Sequence, residues 1–190
     1  MNRSEMNKIV SYNVADLYQR ILEQPELIGE RDPEGNSLLE VALDQRAEDT
    51  ALVLIENGSD VNSTDNMGVT PLHTAVFWGL KHAVWELLDK GANPNAQDYT
   101  GRTALHRIPI TKDDHVLECA FILLDHRADP NLQDREGKTP LHLALSVAFA
   151  RILVEHGASM DVLDNGGKTP YQNHSHLVLV ADYLYSIGAR

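Results

Sequence analysis

Residues 65–97 read DNMGVTPLHTAVFWGLKHAVWELLDKGANPNAQ, and this stretch decides the fold. Thr70 is a residue type that caps helix N-termini, and Pro71 suits the first helical turn, so a helix A starts here. Leu72, Ala75 and Val76 then recur at helical spacing. Gly79 marks a short turn into a helix B, whose buried stripe is Ala83, Val84, Leu87 and Leu88. Gly91 ends that helix, as a left-handed C-cap does. The Asn, Asp and Gly that follow supply turn chemistry for a protruding hairpin.

The same unit recurs on both sides. Asp-x-x-Gly appears at Asp32/Gly35, Asp65/Gly68, Asp98/Gly101, Asp134/Gly137 and Asp164/Gly167, with glycine spacings of 33, 33, 36 and 30. Copies of the helix-A opening are Thr103-Ala104-Leu105-His106 and Thr139-Pro140-Leu141-His142. The first copy is degraded to Ser37-Leu38-Leu39-Glu40, and the last reads Thr169-Pro170-Tyr171-Gln172. Helix B ends at Gly58-Ser59, Gly91-Ala92, Arg127-Ala128, Gly157-Ala158 and Gly188-Ala189.

These motifs resemble the ankyrin repeat over about residues 14–190. The resemblance implies an all-α solenoid of helix-turn-helix units with β-hairpin-like loops. One helix pair cannot bury its own apolar face, whereas stacked neighbours can. Expected boundaries are capping helices over 1–31 and repeats over 32–64, 65–97, 98–133, 134–163 and 164–190. In the cap, Asn13 is placed to N-cap a helix with apolar positions Val14, Leu17, Tyr18, Ile21 and Leu22. Met6, Ile9 and Val10 suit a short helix before it, and Gln24-Pro25-Glu26 breaks the pattern.

Two units depart from 33 residues. The third carries three extra residues near Ile108-Pro109-Ile110-Thr111-Lys112-Asp113-Asp114, where Pro109 is expected to end helix A early. The fourth lacks three, so Ser146-Val147-Ala148 is expected to replace the glycine turn. At the far end Leu177-Val178-Leu179-Val180-Ala181 is apolar all round. Three readings stay open for it: a chain continuing past Arg190, a covering partner or second copy, or a greasy monomeric cap.

Composition narrows the function classes. The 190 residues are 43% hydrophobic and 23% charged, as in ordinary globular chains. The net charge of −12 opposes binding to phosphate backbones and anionic membranes. Cys119 is the only cysteine, which excludes an internal disulfide framework and suits a reducing compartment. The N-terminal sequence lacks a signal-peptide run. A cytoplasmic location is expected, with secretion as an effector left open. Segment 32–64 holds eight acidic residues against Arg46 alone, a net of −7, so an acidic surface is expected there.

No catalytic or metal motif is present, and neither a cofactor nor enzymatic activity is expected. His73, His106 and His142 occupy the repeat's motif position, where the resemblance implies a structural bridge between the threonine hydroxyl and hairpin backbone. His174 and His176 are two apart and do not share a helix face. Cys119 aligns with Ala83 and reads as core.

The resemblance implies a non-catalytic protein-binding module whose concave face is built from loop tips and helix A. Phe77 and Trp78 stand at variable positions the core does not need, with Met67, Tyr99, Arg102 and Arg107 on the same side. The alternative for Trp78 is stacking over the next repeat's helix A. Leu52, Trp85 and Phe121 align as a possible convex patch. A structural role, through end-to-end stacking of the C-terminal cap, is the alternative function; a monomer or weak homo-oligomer is expected.

Overall fold

The computed structural model describes residues 1–108, 114–174 and 178–189, with 114–116 and 178 described by backbone alone. The α-helices among the described residues are α1 Arg3–Val10, α2 Val14–Glu23, α3 Leu38–Asp44, α4 Glu48–Glu56, α5 Pro71–Phe77, α6 Lys81–Asp89, α7 Asp114–Asp125, α8 Pro140–Leu143, α9 Val147–Glu155, α10 Pro170–Asn173 and α11 Val178–Ser186. Short 3-10 turns lie at Pro25–Gly29 and Ala104–Arg107. The chain forms two compact units, Met1–Asn93 and Pro94–Arg190.

In the first unit, Asn2 and Glu5 cap α1 reciprocally, and Met6, Ile9 and Val10 are buried. Asn13 caps α2 by accepting from the Asp16 N–H at 3.0 Å. Of the five apolar positions read in α2, Leu17 and Ile21 are buried, while Val14, Tyr18 and Leu22 are 40–56% exposed. α2 packs against α4 and the Pro25–Gly29 turn. Pro25 opens that turn where the sequence breaks.

Thr70 caps α5 and Pro71 takes its first position. Leu72, Ala75 and Val76 face Ala83, Val84, Leu87 and Leu88 of α6, none more than 7% exposed. Each buried Leu or Val here contributes about 1.5–3 kcal/mol. Gly79 turns the chain at φ 68°, whereas the equivalent turn one repeat earlier uses Arg46 at φ 58°. A non-glycine residue there costs about 1–2 kcal/mol.

In the second unit, helix A of the third repeat shrinks to the Ala104–Arg107 turn. That turn ends at Arg107, with Ile108 at φ −57° and ψ 112°; Pro109, expected to end the helix, lies outside the described residues. The inserted residues 109–113 lie outside the described residues. The fourth repeat corrects the sequence reading: Val147 and Ala148 already belong to α9. Ser146 is its N-cap, accepting from the Phe149 N–H at 3.2 Å. At the far end Val180, Ala181 and Leu184 are buried, while Leu179 is 76% exposed. Leu177 lies outside the described residues, so the run is two-faced over the part described.

The loop tips are turns rather than strands. Arg31–Ser37 is the one β-bridge among the described residues. Aspartates hold the tips instead: Asp65 accepts from the N–H groups of Met67 and Val69, both at 2.8 Å. Asp134 does the same for Glu136 and Lys138 at 2.9 and 3.0 Å.

Asparagines clip neighbouring repeats together. Asn62 donates to the Gly91 carbonyl at 3.0 Å and accepts from the Asn93 N–H at 2.8 Å. Asn95 donates to Arg127 and accepts from Asp129, at 3.2 and 2.7 Å. Asn131 treats Gly157 and Ser159 alike, at 3.0 and 2.7 Å.

Candidate partner-binding surface

The histidines of the repeat are used by the frame. Nδ1 of His106 accepts from the Thr103 N–H at 3.1 Å and lies 2.9 Å from its hydroxyl. That leaves the proton on Nε2, which donates to the Lys138 carbonyl at 3.0 Å. His142 repeats this with Thr139 and the Lys168 carbonyl. Burial pushes the pKa of both rings down, against the pull of the backbone bonds. His73 holds Thr70 in the same way. His174 is 2% exposed and donates to the Leu141 carbonyl at 2.8 Å. His176 lies outside the described residues. Among the described residues no cluster of three His, Cys, Asp or Glu side chains is arranged to hold a metal. Cys119 is fully buried.

The proposed contact residues divide between the two units. In the first, Phe77 is 44% and Met67 58% exposed. The Phe77 and Trp78 rings meet edge-on, with centroids 4.9 Å apart. Trp78 is half-buried, and the Arg46 guanidinium lies 4.5 Å from its ring centroid. With Arg46 exposed, a cation at that distance over an indole is worth about 0.5–1 kcal/mol. The motif reading passes over Arg46, although an arginine where the next repeat has Gly79 is a visible irregularity. Its left-handed backbone is what sends the chain from α3 into α4.

In the second unit Tyr99 is 57% exposed. Both arginines are committed to loop-tip aspartates. Arg102 pairs with Asp134 at 3.2 Å, and Arg107 with Asp98. Burial alone would raise the Asp98 pKa. Bonds from the Thr100 hydroxyl, Arg107 and the Arg102 and Thr100 N–H groups outweigh it and lower it to about 2.

Of the aligned helix-B residues, Leu52 is half-buried and Trp85 is 50% exposed in the first unit. Phe121, in the second, is 42% exposed and meets the His156 ring edge-on at 5.9 Å.

The acidic first repeat is less acidic at its surface than its composition implies. Asp32 and Glu40 are buried. Arg3 from α1 reaches Asp32 at 3.1 Å and Asp44 at 2.7 Å. Glu48 accepts from the His82 and Ala83 N–H groups at the start of α6, at 3.0 and 3.1 Å. Glu34, Asp49, Glu56 and Asp60 remain half-exposed or more.

Repeated helix pairs, threonine–histidine boxes and aspartate-held tips define an all-α repeat protein. Residues 6–98 and 110–175 match the family model for ankyrin repeats, in three copies. The chain belongs to the ankyrin-repeat family, whose members generally serve as protein–protein interaction modules. Comparison with curated proteins finds no match. Among the described residues no helix is long and apolar enough to cross a membrane.

Proposed function

We propose that this chain is a non-catalytic module, acting in the cytoplasm, that binds a protein partner through its loop-tip and helix-A face. Phe77 and Trp78 are the anchors, with Met67, in the first unit; Tyr99, Arg102 and Arg107 are the contact residues of the second. Phe77 carries the reading. It ends α5 with 44% of its surface in water, although five other residues of that helix are buried. A large aromatic side chain left out of the core, beside an indole flanked by a cation, has the make-up of a binding hot spot. Arg102 and Arg107 contribute through the tips they hold, since each is already paired.

Affinity capture from the native lysate identifies the partner, and Phe77→Ala and Trp78→Ala then test the site. Each is expected to weaken binding by on the order of 2 kcal/mol with little change in melting temperature. Unchanged affinity together with a collapsed melting temperature would place Trp78 in the core and move the site elsewhere.

A second reading rests on Leu179 and Tyr185, which are 76% and 68% exposed on α11. These suit end-to-end stacking of copies through the C-terminal cap. Light scattering behind size exclusion separates the two: a monomer at all concentrations removes the stacking role.

A further inference from the structure

The last loop tip carries a reactive pair that partner binding does not use. Asn-Gly occurs twice in the chain, at Asn57-Gly58 and Asn165-Gly166. In such a pair the glycine nitrogen can reach the asparagine side-chain carbon, because no Cβ stands in the way. Asn57 is half-buried at the end of α4, where its Nδ2–H donates to the Val53 carbonyl at 2.7 Å and the Gly58 N–H donates to the Ile55 carbonyl at 3.1 Å. Asn165 and Gly166 are both exposed, at the tip between α9 and α10.

Asn66, in the first unit, is a matched comparison. Its N–H donates to the Glu34 carbonyl at 3.1 Å and its Nδ2–H to the Pro33 carbonyl at 3.2 Å. The next N–H, of Met67, donates to Asp65 at 2.8 Å. Asn165 has the same three bonds within the second unit. Its N–H donates to the Glu136 carbonyl at 2.9 Å and its Nδ2–H to the Arg135 carbonyl at 2.9 Å, while the Gly166 N–H donates to Asp164 at 2.8 Å. Asn66 and Asn165 are both exposed, so what separates the two tips is the residue that follows. Met67 sets a long side chain beside the amide, and Gly166 sets none. Met67, Thr100 and Glu136 stand at this position in other tips and donate to their tip aspartates as Gly166 does. Gly166 is not among the glycines with a left-handed backbone, so the frame does not call for a glycine there.

We propose that Asn165 is a deamidation site whose products unfasten the last loop tip from the tip before it. The Gly166 nitrogen gives its proton to water or hydroxide and bonds to Asn165 Cγ. The Cγ–Nδ2 bond breaks, and the amide nitrogen takes up a proton and leaves as ammonia. Water then adds to either carbonyl of the succinimide ring, which opens to aspartate or isoaspartate. The sum is one water taken up and one ammonia released, with nothing oxidised or reduced. Each product sets a carboxylate where Nδ2 donated to the Arg135 carbonyl, so two acceptors face each other beside Asp164. Isoaspartate also lengthens the main chain by one carbon and carries the Gly166 N–H away from Asp164.

The test ages the full chain at physiological temperature and neutral pH, and follows tryptic peptide masses against the unaged chain. Cleavage after Arg151 and Lys168 releases residues 152–168, in which Asn165 is the only asparagine. A gain of about 1 Da, split between an aspartate and an isoaspartate peak, is expected there roughly ten times faster than at Asn66 or Asn57. Gly166→Met is expected to slow it to the rate at Asn66. Asn165→Asp reproduces one product without ageing and is expected to melt about 2–4 °C below wild type. A rate at Asn165 no faster than at Asn66 or Asn57 overturns the proposal. So does an Asn165→Asp chain that melts with wild type. The wild-type comparison decides the matter even if Gly166→Met folds poorly.

Discussion

Replacing Asp98 with asparagine tests whether the loop tips are held by charge. Its Oδ1 accepts from the Thr100 N–H, the Thr100 hydroxyl and the Arg102 N–H at 2.7, 2.6 and 3.1 Å, and its Oδ2 takes the Arg107 guanidinium. The side chain is 1% exposed, so solvent screens little of this. Its pKa falls from 3.8 to about 2. At about 1.36 kcal/mol per pH unit, that gap corresponds to roughly 2 kcal/mol at neutral pH. The substituted side chain would keep the backbone bonds through its carbonyl but turn an amide toward Arg107. The melting temperature followed by circular dichroism is expected to fall by about 4–8 °C at pH 7. The sign with pH follows from the lowered pKa. The stabilisation is fully present above about pH 4 and is lost as pH falls toward 2, so the gap between wild type and Asp98→Asn narrows below about pH 4. Equal melting temperatures at neutral pH, or a gap that stays constant down to pH 3, would refute the argument. Arg107→Leu is expected to cost stability through the same contact. If it weakened partner binding and left the melting temperature unchanged, Arg107 would be a contact residue and not a brace.

Glu40→Gln is expected to stabilise the protein by on the order of 1 kcal/mol at neutral pH, measured by urea unfolding, because it removes a buried charge. Burial raises the Glu40 pKa, so the gain is expected to disappear as pH falls below about 4.5, where both states are protonated. Gln172 already does this work in the last repeat, accepting from the Thr169 N–H at 3.0 Å. Burial lowers the pKa of His106 and His142 from 6.5, so the unfolded chain protonates first. Urea midpoints are expected to drop as pH falls below about 6.5, and His106→Gln with His142→Gln is expected to flatten that dependence. Arg46→Gly relieves a left-handed backbone but uncovers Trp78. In a Trp85→Phe background the remaining indole emission is expected to shift to the red with no loss of melting temperature.

Local signals are readable in the sequence. Thr70-Pro71 starts a helix by capping chemistry alone, and the stripe from Leu72 to Leu88 recurs at spacings of 30 to 36 residues, so burial of its members follows. Alignment with Ala83 is enough to place Cys119 in the core. The missing glycine points to Ser146-Val147-Ala148 as a turn, but not to Ser146 as the cap that starts α9 at Val147. Counting charges along 32–64 misses Arg3, which lies 29 residues before Asp32 and folds onto it. It also misses that Glu40 takes the buried histidine position of the repeat. At the candidate surface, the exposure of Phe77 is legible because the core is already complete without it. The commitment of Arg102 and Arg107 to aspartates is not, since pairing partners are chosen by the fold and not by proximity in sequence.

The asparagine clips set how the array yields to a pulling force. Each one fastens a loop to the end of the next helix B by two hydrogen bonds, and none reaches further than that. A motor that threads the chain would meet a staircase of small, nearly equal steps in place of one large barrier. Losing a single clip, for example by Asn131→Ala, would lower one step and leave the others standing. The same short reach means that a whole repeat inserted in register would find its own clip and offer one to its neighbour.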